Sequence, residues 1–143
     1  MPRSIYHSIR RRFAAPRRIK IPTMPLFRLG KTGFRFNATH SFPRDEGYDR
    51  FPHGHDYEMT VMLEGARQPG EMLYDLRGLK QLVQREVIEP LDHANLDEIL
   101  PDPTLEALAA WIWQRLRIQL PPTLRLGLEV WETRSLFVEY WGD

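Results

Sequence analysis

The sequence predicts one α+β domain, in which a four-stranded antiparallel sheet is covered on one face by two helices in the order ββααββ. Two stretches near the start and two near the end alternate apolar and polar residues, as strands do. Two segments between them repeat apolar residues at helical spacing. A length of 143 residues fits a single domain.

The first strand is predicted over residues 33–40, with Phe34, Phe36, Ala38 and His40 on one face. A second strand starts near residue 55 and continues to residue 63. Glycine and proline mark residues 64–70 as a turn region. Met72–Tyr74 is then expected to pair back as a short strand.

Asp75 is a natural N-cap for a first helix over residues 76–88, which Pro90 is expected to end. Residues 91–102 are predicted to form a non-helical link. The second helix opens with Pro103–Glu106 and stops before Pro121 and Pro122.

Two closing strands are predicted over residues 124–131 and 136–140, joined by a hairpin turn at residues 132–135. No repeat or low-complexity segment interrupts this order. The arrangement is therefore typical of an antiparallel sheet with its helices on one side.

The composition is ordinary for a soluble enzyme, with 42% hydrophobic and 27% charged residues. No apolar run approaches the roughly 18 residues that a membrane span needs, and a cytoplasmic location is expected. The chain contains no cysteine, which excludes disulfides, thiolate metal sites and a cysteine nucleophile. Any metal ligand must therefore be histidine, aspartate or glutamate.

The charge is divided unevenly. Residues 1–28 carry eight basic and no acidic side chains, which leaves 12 basic against 19 acidic side chains, or −7, in residues 29–143. Such a segment is compatible with targeting, nucleic-acid binding or a membrane surface. Because it lacks a helical stripe, we interpret it as a disordered extension before the domain of residues 29–143, or as a sign that the protein starts at Met24. Neither nucleic-acid nor membrane binding is expected.

Three histidines are the strongest candidate site. His53 and His55 are two residues apart on a strand, so both imidazoles point to one face, and His40 on the neighbouring strand can complete a three-nitrogen pocket with one position open. Gly54 between them would let the backbone approach a bound ion closely. Neutral imidazoles suit Zn²⁺ better than Mg²⁺ or Ca²⁺, which prefer oxygen.

Other candidates have competing structural interpretations. Asp92 beside His93 could support acid–base chemistry, although adjacent residues on an extended chain point apart. Glu132 is either a solvated turn carboxylate or the group that binds a guanidine-like edge with both oxygens. Thr104 and Glu106 mark a helix start first and a ligand contact second.

The motifs together resemble the family of 6-pyruvoyl-tetrahydropterin synthases and 6-carboxytetrahydropterin synthases. The resemblance runs from about residue 32 to the C-terminus, with the motifs in the family's order and spacing. The matching stretches are Phe36–His40, His53–Tyr57, Met72–Leu76 with Leu79 and Lys80, Leu91–Leu96, Pro103–Glu106 and Trp131–Thr133.

The resemblance implies a tunnelling fold, in which subunits join their sheets into a barrel and two trimers stack as a homohexamer with active sites between subunits. It implies zinc on His40, His53 and His55, which would hold the side-chain hydroxyls of 7,8-dihydroneopterin triphosphate. Glu132 would anchor the pterin, with Thr104 and Glu106 as further substrate contacts. We expect Glu132 on a different part of the sheet from the histidines. The resemblance also implies a place in queuosine or tetrahydrobiopterin biosynthesis.

One departure from the family is informative. The usual catalytic cysteine stands four residues before His53, where this chain has Asp49. The resemblance then implies Asp49 as base and Asp92 with His93 as proton relay, in a lyase that forms a 6-carboxy or 6-pyruvoyl product. Some relatives without the cysteine instead release 6-hydroxymethyl-dihydropterin for folate synthesis. A third alternative is a pterin-binding protein without turnover.

Overall fold

A computed structural model describes residues 24–143. The expectation of disorder for residues 1–23 lies outside the described residues, whereas Leu26–Arg28, assigned above to the extension, belong to the first strand. The elements are β1 (Leu26–His40), β2 (His53–Ala66), α1 (Leu76–Val83), α2 (Glu89–Leu91), β3 (Ala94–Asn95), α3 (Leu105–Arg117), β4 (Arg125–Thr133) and β5 (Leu136–Tyr140).

The strands form one five-stranded mixed sheet in the order β3-β1-β2-β4-β5. The α+β class is confirmed, but the prediction of four antiparallel strands is wrong, because β3 adds a parallel strand beside β1. The Asn37 backbone explains the addition: its N–H donates to Asp92 Oδ1 at 2.9 Å, and its carbonyl accepts from the His93 N–H at 2.6 Å. These bonds hold the start of the predicted link against β1.

The core lies between the helices and one face of the sheet. Alternate residues of each central strand point to this covered face, as the predicted strand periodicity requires. Phe36 and Ala38 are buried there, and Phe34 packs against them. The other buried apolar strand residues on this face are Tyr57, Met59, Val61, Leu63, Leu126, Leu128 and Val130. The helices contribute chiefly leucines, such as Leu79 and Leu108.

The first helix continues past the proline that was expected to end it. Asp75 caps α1 as predicted, accepting from two backbone N–H groups, but a π-helical segment, Gln84–Ile88, carries the helix on through α2. Pro90 cannot donate to the carbonyl of Glu86, four residues earlier. Arg115 Nε donates to that carbonyl instead, at 2.8 Å. The chain can therefore stay helical through Leu91.

The predicted short strand at Met72–Tyr74 is wrong, because none of these residues pairs as a strand and Leu73 and Tyr74 form bends. Arg67 donates to the carbonyls of Gln68 and Glu71, which closes a compact loop. The second helix, α3, forms where predicted and ends at Arg117. None of the helices in residues 24–143 has the length and hydrophobicity of a membrane-spanning segment.

Candidate metal centre

Antiparallel pairing of β1 and β2 brings the three candidate histidines together. His40 and His53 are direct partners in the register, and His55 pairs with Ala38. Because side chains alternate along a strand, all three imidazoles lie at one end of the covered face. One ring nitrogen from each lies within 4.8 Å of the others. Within residues 24–143, this is the group of side chains that could hold a metal ion.

Two backbone carbonyls fix which nitrogens face inward. His40 Nδ1 lies 2.9 Å from the carbonyl oxygen of Pro103, and His53 Nδ1 lies 2.8 Å from that of Phe51. A carbonyl only accepts, so each Nδ1 carries the hydrogen and each neutral ring directs the lone pair of Nε2 into the cluster. This is the usual orientation of a metal-binding histidine.

His40 supplies the strongest evidence that a ligand is needed. Its side chain is 2% exposed, and its Nε2 is buried without a hydrogen-bond partner. Such an unsatisfied group costs roughly 1–3 kcal/mol. Burial lowers the pKa of His55; Glu132 opposes this effect, and His40 and His53 reinforce it. A neutral imidazole is the form that binds a metal, so these residues fit a zinc ion.

Glu132 lies in the same cluster, and the expectation that it lies elsewhere on the sheet is wrong. It belongs to β4, which pairs with β2, and not to the hairpin turn. Glu132 Oε1 is 3.5 Å from His40 Nε2 and 3.6 Å from His55 Nε2. Its side chain is 13% exposed. The interpretation as a solvated turn carboxylate therefore does not hold.

Asp49 lies at the rim of the cluster. It belongs to a short 3-10 helix, Tyr48–Arg50, in the loop between β1 and β2. Its Oδ1 is 3.8 Å from His53 Nε2, and its side chain is 59% exposed. The backbone carbonyl of Asp49 accepts from the Phe42 N–H at 2.8 Å, which fixes the loop close to the histidines. Asp49 can therefore reach a molecule bound there.

Asp92 and His93 face each other despite being adjacent. His93 adopts a φ of 61°, in the left-handed region that is uncommon for residues other than glycine. This conformation brings His93 Nδ1 to 3.5 Å from Asp92 Oδ2. The objection that adjacent side chains point apart is thus removed. The pair is fixed to Asn37 of β1, and the His93 side chain is 82% exposed.

The start of α3 touches the cluster through its backbone. Thr104 caps the helix, its Oγ1 accepting from the Ala107 N–H at 3.2 Å. Glu106 is exposed in the first turn. The carbonyl of Pro103, just before the cap, is the one that orients His40. The capping role predicted for this segment is confirmed, and the segment also positions His40.

Sequence reasoning missed Asn37, Asp56 and Asp97, which hold these groups in place. Asn37 joins β1 to Asp92, and its Nδ2 donates to Asp56 Oδ1 at 2.7 Å. Asp97 accepts from the N–H and the hydroxyl of Ser41, the residue after His40. The available signal for Asp97 was the Asn-x-Asp turn that starts at Asn95. Asn37 lies among the polar residues of the uncovered face, where its role has no local signal.

Gly54 does not serve the role expected for it. A Cβ at this position would meet Thr39 Cγ2 at 3.6 Å and the carbonyl oxygen of Ala38 at 3.7 Å, which are ordinary contacts. Alternation along β2 directs residue 54 away from the face of its two histidine neighbours. The glycine is therefore not required for close approach to an ion.

One cleft in the described residues has a volume of about 970 Å³. Most of its lining side chains belong to the uncovered face of the sheet, among them Arg35, Glu58, Glu129 and Trp131. Asp92 and Glu132 also border it, but none of the three histidines does. We place the candidate site at the histidines because their ring nitrogens converge as metal ligands do, whereas the cleft shows no such group.

Known proteins are similar to this chain in sequence and in fold. The chain is similar to the dihydroneopterin monophosphate aldolase of Pyrococcus furiosus, with 36% identity over 105 residues, 73% of this chain and 89% of the relative. It is also similar to human 6-pyruvoyl tetrahydrobiopterin synthase, with 34% identity over 97 residues, 64% of this chain and 67% of the relative. A third relative is the 6-carboxy-5,6,7,8-tetrahydropterin synthase of Synechocystis, with 34% identity over 116 residues, 76% of this chain and 89% of the relative.

The solved structure of Caenorhabditis elegans 6-pyruvoyl tetrahydropterin synthase superposes with a TM-score of 0.73 at 26% identity, covering 84% of this chain and 98% of that one. The family model for 6-pyruvoyl tetrahydropterin synthase matches residues 29–143. The chain belongs to the 6-pyruvoyl tetrahydropterin synthase family.

Proposed function

We propose that this protein is a zinc-dependent lyase that acts on the side chain of 7,8-dihydroneopterin triphosphate. The observation that carries the proposal is the convergence of three imidazoles, with the buried His40 Nε2 left without a hydrogen-bond partner. The related enzymes named above are pterin synthases and a dihydroneopterin monophosphate aldolase, which supports a pterin as substrate.

His40, His53 and His55 would hold the zinc. When bound, the ion would polarise the side-chain hydroxyls of the substrate and make the neighbouring protons more acidic. The carbonyls of Pro103 and Phe51 already fix two of the rings in the required orientation. Little reorganisation is therefore needed before an ion binds.

The other candidate residues would bind the pterin and transfer protons. Glu132 would anchor the aminopyrimidine edge of the pterin, because a carboxylate can accept two parallel hydrogen bonds. Asp49, 3.8 Å from His53 Nε2, would be the base in place of the usual cysteine. Asp92 and His93 would relay protons. Thr104 and Glu106 would contact the substrate from the start of α3.

The assembly proposed is a homohexamer with active sites between subunits. His93 is largely exposed in the single chain, so it could act in a site completed by a neighbour. The edge strand β5 carries the exposed side chains of Leu136 and Phe137, which a partner sheet could cover. Light scattering should report six chains, and a stable monomer that still binds pterin would contradict the assembly.

A second candidate reaction is cleavage of the side chain to release 6-hydroxymethyl-dihydropterin. The absence of cysteine from the chain and the similarity to an aldolase favour it. In that reaction, removal of a proton from a side-chain hydroxyl breaks the adjacent carbon–carbon bond, and the deprotonated hydroxyl becomes the carbonyl of an aldehyde that leaves with the phosphates. The electron pair stays with the carbon attached to the pterin, which takes up a proton to give the 6-hydroxymethyl product. The pterin synthase reactions require a different proton transfer, so the two products distinguish them.

The decisive experiment is incubation of the zinc-loaded protein with 7,8-dihydroneopterin triphosphate, followed by identification of the product by mass spectrometry. A 6-carboxy or 6-pyruvoyl product supports the first reaction, and a 6-hydroxymethyl product supports the second. Asp49→Asn should abolish either product while zinc stays bound. Binding without any product would leave only the alternative of a pterin-binding protein.

A further inference from the structure

Glu132 lies at the distances expected of a metal ligand. Ligands 2.0–2.2 Å from a tetrahedral zinc ion lie about 3.3–3.6 Å from one another. Glu132 Oε1 is 3.5 Å from His40 Nε2 and 3.6 Å from His55 Nε2. This carboxylate oxygen is therefore spaced from two of the three nitrogens as a fourth ligand would be.

The lone pairs in the cluster also suit a bound cation. His40 Nδ1 carries the ring hydrogen, so Nε2 of the neutral ring faces Glu132 with a lone pair. A lone pair and a carboxylate oxygen repel each other unless a positive charge lies between them. At this separation of 3.5 Å, Nε2 makes no hydrogen bond to Glu132. A metal ion shared by both groups resolves the repulsion.

We propose that Glu132 Oε1 is the fourth zinc ligand of the pterin-free protein, and that the pterin ring and the zinc compete for this one carboxylate. The inference rests on the proposed function, in which Glu132 anchors the pterin. Binding of the pterin ring to Glu132 would draw this carboxylate away from the metal. The vacated position would then be open to the substrate hydroxyls only when the ring is in place.

Glu129 provides a matched control on the same strand. It lies three residues before Glu132 and accepts from Trp131 Nε1 at 2.5 Å. It borders the cleft on the uncovered face of the sheet, away from the histidines. Glu129→Gln therefore makes the same chemical change in β4 without changing the proposed ligand set.

The first test measures zinc affinity without pterin, by competition with a chelator. Glu132→Gln should bind zinc at least tenfold more weakly, since even an indirect partner of a metal ligand is worth 10–100-fold. Glu129→Gln should match the wild type. The visible spectrum of the Co²⁺-substituted protein should change in Glu132→Gln alone. Unchanged zinc affinity and an unchanged Co²⁺ spectrum in Glu132→Gln would overturn the inference.

The second test needs no variant, so it holds even if Glu132→Gln folds poorly. The probe is unsubstituted pterin, which has the ring but no side-chain hydroxyls to replace the carboxylate on zinc. Saturating pterin should weaken zinc binding by several-fold, and zinc should weaken pterin binding by the same factor, because coupling is reciprocal. Calorimetry and chelator competition measure the two directions.

The outcomes separate this inference from the proposed function. A wild-type protein that binds no zinc, or no pterin, overturns both. A protein that binds zinc on its histidines and binds pterin, but shows no coupling between them, overturns the shared ligand and leaves the proposed function standing.

Discussion

The histidine cluster and the Asp92–His93 pair contain the same kind of side chain in opposite settings. The cluster lies on paired strands at the covered face of the sheet, where His40 is 2% exposed and a carbonyl holds Nδ1. The pair lies on a link at the edge of the sheet, where His93 is 82% exposed and its backbone is in the left-handed region.

The difference indicates how each group can work. Rings fixed on strands with their lone pairs converging are organised in advance for an ion, which needs several ligands at set distances. An exposed imidazole beside a carboxylate can exchange protons with a bound molecule or solvent. The buried cluster is thus suited to binding, and the exposed pair to proton transfer.

The largest expected effect is loss of zinc on removal of one cluster ligand. His55→Ala should weaken zinc affinity on the order of 100-fold or more, because each ligand supplies a large share of the binding free energy. His93→Ala should leave zinc affinity unchanged. Metal analysis and chelator competition measure both variants. Full zinc retention in His55→Ala would show that the two regions do not differ as described.

Glu132→Gln should weaken binding of 7,8-dihydroneopterin by one to two decades. The amide presents a donor where the pterin edge also presents one, and an unpaired buried donor costs roughly 1–3 kcal/mol. Calorimetry on the zinc-loaded protein measures the change, with Glu129→Gln as control. Equal affinity in Glu132→Gln and the wild type would remove the support for a pterin anchor.

Asp92 has a structural role that can be separated from its proposed chemical one. Asp92→Ala removes the acceptor of the Asn37 N–H and should lower the free energy of unfolding by about 1 kcal/mol. Asp92→Asn keeps a side-chain oxygen for that bond, so stability should be nearly unchanged while product formation falls. Urea unfolding together with product assays measures both. Full activity in Asp92→Asn would exclude the proton relay.

The smallest effect concerns the backbone of His93. Since a φ of 61° disfavours any Cβ, His93→Gly should be about 0.5–1 kcal/mol more stable than His93→Ala. Both variants remove the imidazole and should lose activity equally. Thermal unfolding compares them directly. A less stable glycine variant would mean that the left-handed conformation is not strained.

Local sequence patterns were sufficient to predict features that depend on a single strand or a single helix. Alternation alone placed His53 and His55 on one face, and the apolar spacing with Asp75 and Thr104 located both helix starts. These features depend on chain geometry within a few residues. The same rules failed at Pro90, which does not end its helix. The Glu86 carbonyl that the proline leaves without a donor accepts a hydrogen bond from Arg115, a residue of α3.

The sequence by itself determined the α+β class, the covered face of the central strands and the identity of the candidate ligands, because these follow from periodicity and side-chain chemistry. Only the tertiary structure decided that Glu132 approaches His40 and His55, since this depends on β4 pairing with β2 across more than sixty residues of chain. It also decided that a two-residue strand joins β1, because bonds from Asn37 to Asp92 and His93 are made only after the link folds back. Contacts between distant residues, and not local preference, set these features.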